Sequence, residues 1–243
     1  MSAPVITVVL AHPDDESFPV GGTLAKYTTE GVQVDLIMAT RGEAGIPGRT
    51  AEEAAGIREA ELRKACEELG VGDLVFLNLS DGHLPEEDEG LAIFRLVSLF
   101  QQRQPDVVIT FGPEGISGHP DHIAVSHWTT MAFDRWQREA SNASRLFYIA
   151  PSEATQQGCG VPPPAETLGG PVVFIDVGSH LVKKARAAMQ HRSQDPPFSG
   201  SAEAIAEEMD CHEVFRLARP HKVSNGSGPL SDLFLEKQQL IHE

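Results

Sequence analysis

Residues 5–22 read VITVVLAHPDDESFPVGG. Val5 to Leu10 is apolar at nearly every position. A strand with one wet face alternates; an unbroken apolar run fits a strand covered on both faces, as in a parallel sheet. The run stops near His12, and Asp14, Asp15 and Glu16 follow one proline later. Three adjacent acids repel one another, and an ordinary solvated turn needs no such cluster. A bound cation, or a reaction, would account for them.

Working outward, similar runs recur at Val34–Ala39, Leu74–Leu77, Val107–Phe111, Leu146–Ile149 and Val172–Ile175. Helix-like segments lie between them: Gly22–Glu30, Ala51–Leu69, Leu91–Gln101, Asp121–Arg138, Leu181–Gln190 and Ala202–Leu217. In the second of these, Ile57, Ala60, Ala65 and Leu69 mark the expected buried side. This alternation predicts an α/β fold with a mostly parallel, doubly wound sheet and helices on both faces. No internal repeat interrupts it, and one domain is expected over residues 1–243. Proline and glycine cluster at 158–171 and 195–200, which read as long C-terminal loops bordering a binding site.

Composition sets bounds. The hydrophobic share is 41% and the charged share 22%, ordinary for a globular protein. A net charge of −16 argues against nucleic-acid or anionic-membrane partners, which need a basic face. No run approaches the ~18 apolar residues of a membrane span. The three cysteines, Cys66, Cys159 and Cys211, are too few and too scattered for a disulfide framework. With no secretory leader before the first strand, a cytoplasmic location is expected.

In doubly wound sheets ligands bind beyond the carboxyl ends of the strands. The polar clusters lie there: His12–Glu16, Arg41–Glu43, Asp81–His83 and His119–His122. No G-x-G-x-x-G follows the first strand, which speaks against a dinucleotide site. In the stretch GHPDH, Pro120 is placed like a first-turn proline, making His119 the N-cap and His122 a first-turn residue. A helix N-terminus disfavours imidazolium and so favours a neutral, metal-competent His122. His12, Asp15 and His122 then make a two-histidine, one-carboxylate catalytic metal set with an open position for water. Asp14 is left over as a base for that water, or as a turn-forming residue.

The pair AHPDDE and GHPDH resembles the LmbE-like, or PIG-L, zinc-dependent N-acetylglucosaminyl de-N-acetylases. GGTLAKY, ATRGEAG, Arg58 to Gly70, Ser80-Asp81-Gly82 and His191-Arg192-Ser193-Gln194 match as well, in order along nearly the whole chain. The resemblance implies a Rossmann-like fold, and zinc held by His12, Asp15 and His122. It implies Asp14 as general base, His119 as helper of the oxyanion or leaving amine, and Asp121 as the residue tuning that histidine. It further implies Arg58 and Asp81 as sugar contacts. One position departs from the pattern. Some thiol-biosynthesis members carry a tyrosine two residues before the first histidine of H-P-D-H, where this chain has Ser117.

The expected reaction is hydrolysis of an acetylated amino-sugar conjugate to acetate and a free amine. A non-haem iron oxygenase, a sugar-thiol amidase and a catalytically silent metal-containing sugar binder are the alternatives, so Fe2+ stays open beside Zn2+. Glu16 is expected to support its loop. Glu43 can support the site from behind its ligands or cap a turn, and His191 can line the site or sit at a helix C-terminus beside the dipole. The aglycone and a possible homo-oligomeric state are not readable.

Overall fold

The computed structural model describes residues 3–140, 143–150, 172–195, 199–220 and 232–234. Strand β1 (Val5–Leu10) lies between β2 (Gln33–Met38) and β4 (Val107–Phe111), parallel to both. Ile6, Val8, Val9 and Leu10 are wholly buried, so both faces of the strand are covered, as the unbroken apolar run requires. With β3 (Asp73–Phe76), β5 (Arg145–Ala150), β6 (Val172–Asp176) and β7 (His212–Arg219) the sheet has, among the described residues, seven strands in the order β3-β2-β1-β4-β5-β7-β6. The first five in that order are parallel; β7 runs antiparallel to both β5 and β6.

The helices are α1 (Gly21–Thr29), α2 (Ala51–Leu69), α3 (Glu89–Arg103), the one-turn α4 (Gly115–Gly118), α5 (Pro120–Gln137), α6 (Leu181–Ala188) and α7 (Ala202–Glu208). Helices α1, α2, α6 and α7 pack on one another, and α3 packs on α5. The fold is therefore the mostly parallel α/β arrangement expected. Among the described residues no helix is long and apolar enough to cross a membrane. The loop expected at 158–171, and 196–198 of the loop expected at 195–200, lie outside the described residues.

Two expectations are corrected. The helix expected over Ala202–Leu217 stops at Glu208, and residues from His212 onward form β7. Helical burial at Ala202, Ile205 and Ala206 gives way to strand burial, with Phe215 and Leu217 inside. The segment contains good helix formers, but it bonds to a strand on each side, and that pairing overrides propensity. In α2 the buried line is Ala54, Arg58, Leu62, Ala65 and Leu69; Ile57 is half-buried and Ala60 exposed. A buried arginine thus occupies the stripe where hydrophobicity alone places an apolar residue.

Glu213, at the start of β7, does a job no local pattern announces. The N-cap of α1, Val20, has no capping side chain. The buried Glu213 carboxylate takes that place, accepting from Gly22 N–H at 2.9 Å, Thr23 N–H at 2.7 Å and Lys184 Nζ at 2.7 Å. A carboxylate at a helix N-terminus is favoured by the dipole as well as by these bonds. Glu213→Ala strands a buried ammonium and two amide donors, so a loss of about 3–5 kcal/mol in urea unfolding is expected. A loss under about 1 kcal/mol would mean water replaces the carboxylate there.

Candidate active site

Along the sheet, connections run one way from β1 to β2 and β3, and the other way from β4 to β5. The direction reverses between β1 and β4, where doubly wound sheets form their ligand crevice. His12 lies just past β1; His119 and His122 follow β4.

Pro120 opens α5, and its fixed φ suits a first helical residue. His119 is the N-cap: its Nδ1 accepts from the Asp121 N–H at 3.1 Å. His122 follows in the first turn, with its ring stacked on Phe111 at 4.0 Å. The turn before it depends on Gly115, whose φ is +69° and where a Cβ would sit 2.9 Å from Ile123.

His12, Asp15 and His122 converge. The His122 Nε2 lies 3.3 Å from His12 Nδ1 and 3.3 Å from Asp15 Oδ1, and His12 Nδ1 is 3.6 Å from Asp15 Oδ2. These three residues offer ligand atoms within 4.8 Å of one another. The outward ring nitrogens decide how the inward ones are presented. His122 Nδ1 donates to the Gly115 carbonyl at 3.1 Å, which leaves Nε2 bare. His12 Nε2 donates to Asp121 Oδ2 at 3.0 Å, with Asp81 Oδ1 at 3.1 Å, which leaves Nδ1 bare in the neutral ring. Bare nitrogens facing one carboxylate, each backed by an acceptor on the far side of the ring, are what a divalent metal requires. The residues fit such an ion.

Without a cation, the acids around His12 favour a proton on its ring. Burial opposes a charge on His12, but the hydrogen bonds to Asp121 and Asp81 and the nearby Asp15 outweigh it and push its pKa up to about 10. A cation bound at Nδ1 replaces that proton. Burial pulls His122 below its ordinary value, and the neighbouring His12 adds to that. Asp121 and Asp81 are held below the usual carboxylate range, their bonds to His12 prevailing over burial.

Three expected roles meet a different geometry. The carboxylate of Asp121 hydrogen-bonds His12 and comes within 4.8 Å of a His119 ring nitrogen. The wholly buried Asp121 also takes N–H bonds from Gly82 at 2.8 Å and Leu84 at 3.1 Å. Asp81 is buried with both oxygens engaged, one on His12 and the other accepting from Ala44 N–H at 2.8 Å. Arg58 is buried too: it donates to the Pro13 and Gly42 carbonyls and reaches Asp14 Oδ2 at 3.2 Å. Gly42, at φ +69°, gives the guanidinium room; any Cβ there would collide with it. Glu43 ties two strand-end loops, accepting from the Asp81 N–H at 2.8 Å and the Arg41 N–H at 3.3 Å. Ser117 is exposed.

Asp14 stands apart from these groups. Burial first, and then the charge of Asp15, push its pKa up to about 7 against the pull of Arg58. A carboxylate poised near neutrality, next in the chain to a residue of the metal-competent cluster, is equipped for proton transfer.

A Rossmann-like sheet with a two-histidine, one-carboxylate cluster at its switch point defines a class of metal-competent α/β enzymes. Within that class the chain belongs to the PIG-L family, described as GlcNAc-PI de-N-acetylase, which matches residues 7–133. A 1D-myo-inositol 2-acetamido-2-deoxy-alpha-D-glucopyranoside deacetylase of Actinosynnema mirum is 33% identical, over 79% of this chain and 81% of the relative. Its namesake in Saccharomonospora viridis is 31% identical, over 93% of this chain and 98% of the relative. Among solved structures, the N,N'-diacetylchitobiose deacetylase of Pyrococcus horikoshii superposes with a TM-score of 0.66 at 21% identity, covering 89% of this chain and 84% of that one. It shares the fold.

Proposed function

We propose that this protein hydrolyses the acetamide of an N-acetylglucosamine-type conjugate, releasing acetate and a free amino sugar. One observation carries the reading: two imidazole nitrogens and an Asp15 oxygen converge, and the separate carboxylate of Asp14, next along the chain, feels the charge of Asp15. An iron oxygenase triad has no use for that extra base. The named relatives differ in what the sugar is attached to, inositol in one case and a second sugar in the other, and share the acetylated glucosamine unit. That shared unit is the substrate class proposed.

His12, Asp15 and His122 would hold a divalent metal, zinc on this reading, leaving a coordination position open. When bound, the metal supplies Lewis acidity towards the acetamide and lowers the pKa of water. Asp14 takes the proton of the attacking water. His119, exposed and with its Nδ1 accepting from the main chain, offers its Nε2–H to the oxyanion, and the proton held by Asp14 passes to the departing amine. Asp121 and Asp81 orient His12. Arg58 secures the Asp14 loop; its burial favours that role over a sugar contact.

The test is acetate release from a panel of N-acetylglucosaminides. The purified protein is expected to release acetate, to stop when stripped by chelator, and to recover with stoichiometric Zn2+. A full rate from metal-free protein, or no release from any member of the panel by the zinc-loaded protein, would overturn the reading.

A further inference from the structure

We propose that Glu16 and His191 are a buried positioning pair that fixes the main chain of Asp14 and so aims its carboxylate into the site. The proposal rests on the reading of Asp14 as the base. Asp14 has φ +128°, a conformation that side-chain-bearing residues rarely adopt. Such a backbone is strained and persists only where its surroundings over-determine it. Here they do. The Asp14 N–H donates to Glu16 Oε2 at 3.0 Å, and its carbonyl accepts from Ser17 N–H at 2.9 Å.

Glu16 is wholly buried, and its second oxygen is taken as well. Oε1 accepts from Ser17 Oγ at 2.5 Å and from His191 Nε2 at 2.6 Å. His191, also wholly buried, sits just beyond the end of α6, 175 positions along the chain. One carboxylate thus couples a distant helix end to the amide of the residue that must move a proton. The arrangement carries a second local cost. His191 Nδ1 is buried with no hydrogen-bond partner among the described residues. A strained residue and an orphaned nitrogen, joined through a single carboxylate, are poorly explained by stability alone. Apolar side chains of similar volume would fill the same space without either cost. What they could not do is hold the Asp14 amide.

The consequence is specific. Glu16 and His191 are wholly buried and bond to Asp14, Ser17 and each other, not to His12, Asp15 or His122, so their loss acts through Asp14. His191→Leu is expected to lower kcat on the order of 10²-fold, the cost of roughly 1 Å of misplacement at a reacting group. KM and metal content stay near the wild-type values. His191→Gln, whose amide can still donate to Glu16, is expected to recover most of the rate.

The deciding experiment is a double-mutant cycle on the full-length, metal-loaded protein, with kcat measured for wild type, His191→Leu, Asp14→Asn and the pair together. If His191 works by placing Asp14, the double variant is no slower than Asp14→Asn alone. If its defect is general loosening of the fold, the two losses multiply, and the positioning proposal falls. Should His191→Leu not fold, the shorter, polar His191→Asn enters the same cycle, with the same two outcomes. A wild-type rate in Asp14→Asn would instead remove the base, which is a separate failure and visible in the same four measurements.

Discussion

His12→Ala is expected to strip the protein of metal and of acetate release together. The residue has two duties. Its Nδ1 faces His122 and Asp15, and its Nε2 lies between the carboxylates of Asp121 and Asp81 at 3.0 and 3.1 Å. Losing only an outer partner of a metal ligand typically costs about 10–100-fold in affinity, and losing the ligand itself costs more. Removing the ring also leaves two buried acids facing each other without the group that both held, so the melting temperature should fall as well. His127→Ala is the control. That side chain is 53% exposed and its ion pair is with Glu89 at 3.5 Å, away from the cluster. Elemental analysis after desalting reads both variants. Full metal occupancy in His12→Ala would dissolve the assigned ligand set.

How much of this was legible in the sequence depends on how far each cause lies along the chain. The strands β1 and β4 were readable to the residue, because a strand covered on both faces writes its burial into consecutive positions. The start of α5 was readable for the same reason: Pro120 and the N-cap His119 are a local device. β7 was not. Its strand character comes from lying between β5 and β6, and nothing in HEVFRLAR contradicts a helix until those neighbours exist. Arg58 was singled out by resemblance, but its burial was not, since its acceptors belong to residues 13, 14 and 42. The same holds for Asp121. Its partner His12 lies 109 positions away, and which imidazole it serves is settled by how the first turn of α5 points across the sheet edge. Residue types marked the site, and the packing of remote segments assigned the partners within it.

The second large effect is expected from Asp14→Asn. Asparagine keeps the size of the side chain and tolerates positive φ better than most residues, so the bonds from its N–H to Glu16 and from Ser17 to its carbonyl can persist. An amide oxygen can also still accept from Arg58. Metal content should therefore match wild type, because His12, Asp15 and His122 are untouched. What is lost is the ability to accept a proton, which typically costs about 10²–10⁴-fold in rate. The pH profile gives an independent check. The Asp14 carboxyl, pushed up to about 7 by burial and by Asp15, works only when deprotonated. The rate should accordingly rise with pH through that region, and a cation bound next to the carboxylate shifts the rise to lower pH. In Asp14→Asn the rise should vanish or be replaced by the titration of water at the site, which is coupled to Asp14 in the wild type. Asp15→Asn should behave differently in kind: it removes the anionic ligand, so its activity loss should track loss of metal. A near wild-type rate for Asp14→Asn with metal fully bound would end the role of Asp14 as base, and with it the reason for a buried Glu16–His191 pair to hold that residue's backbone.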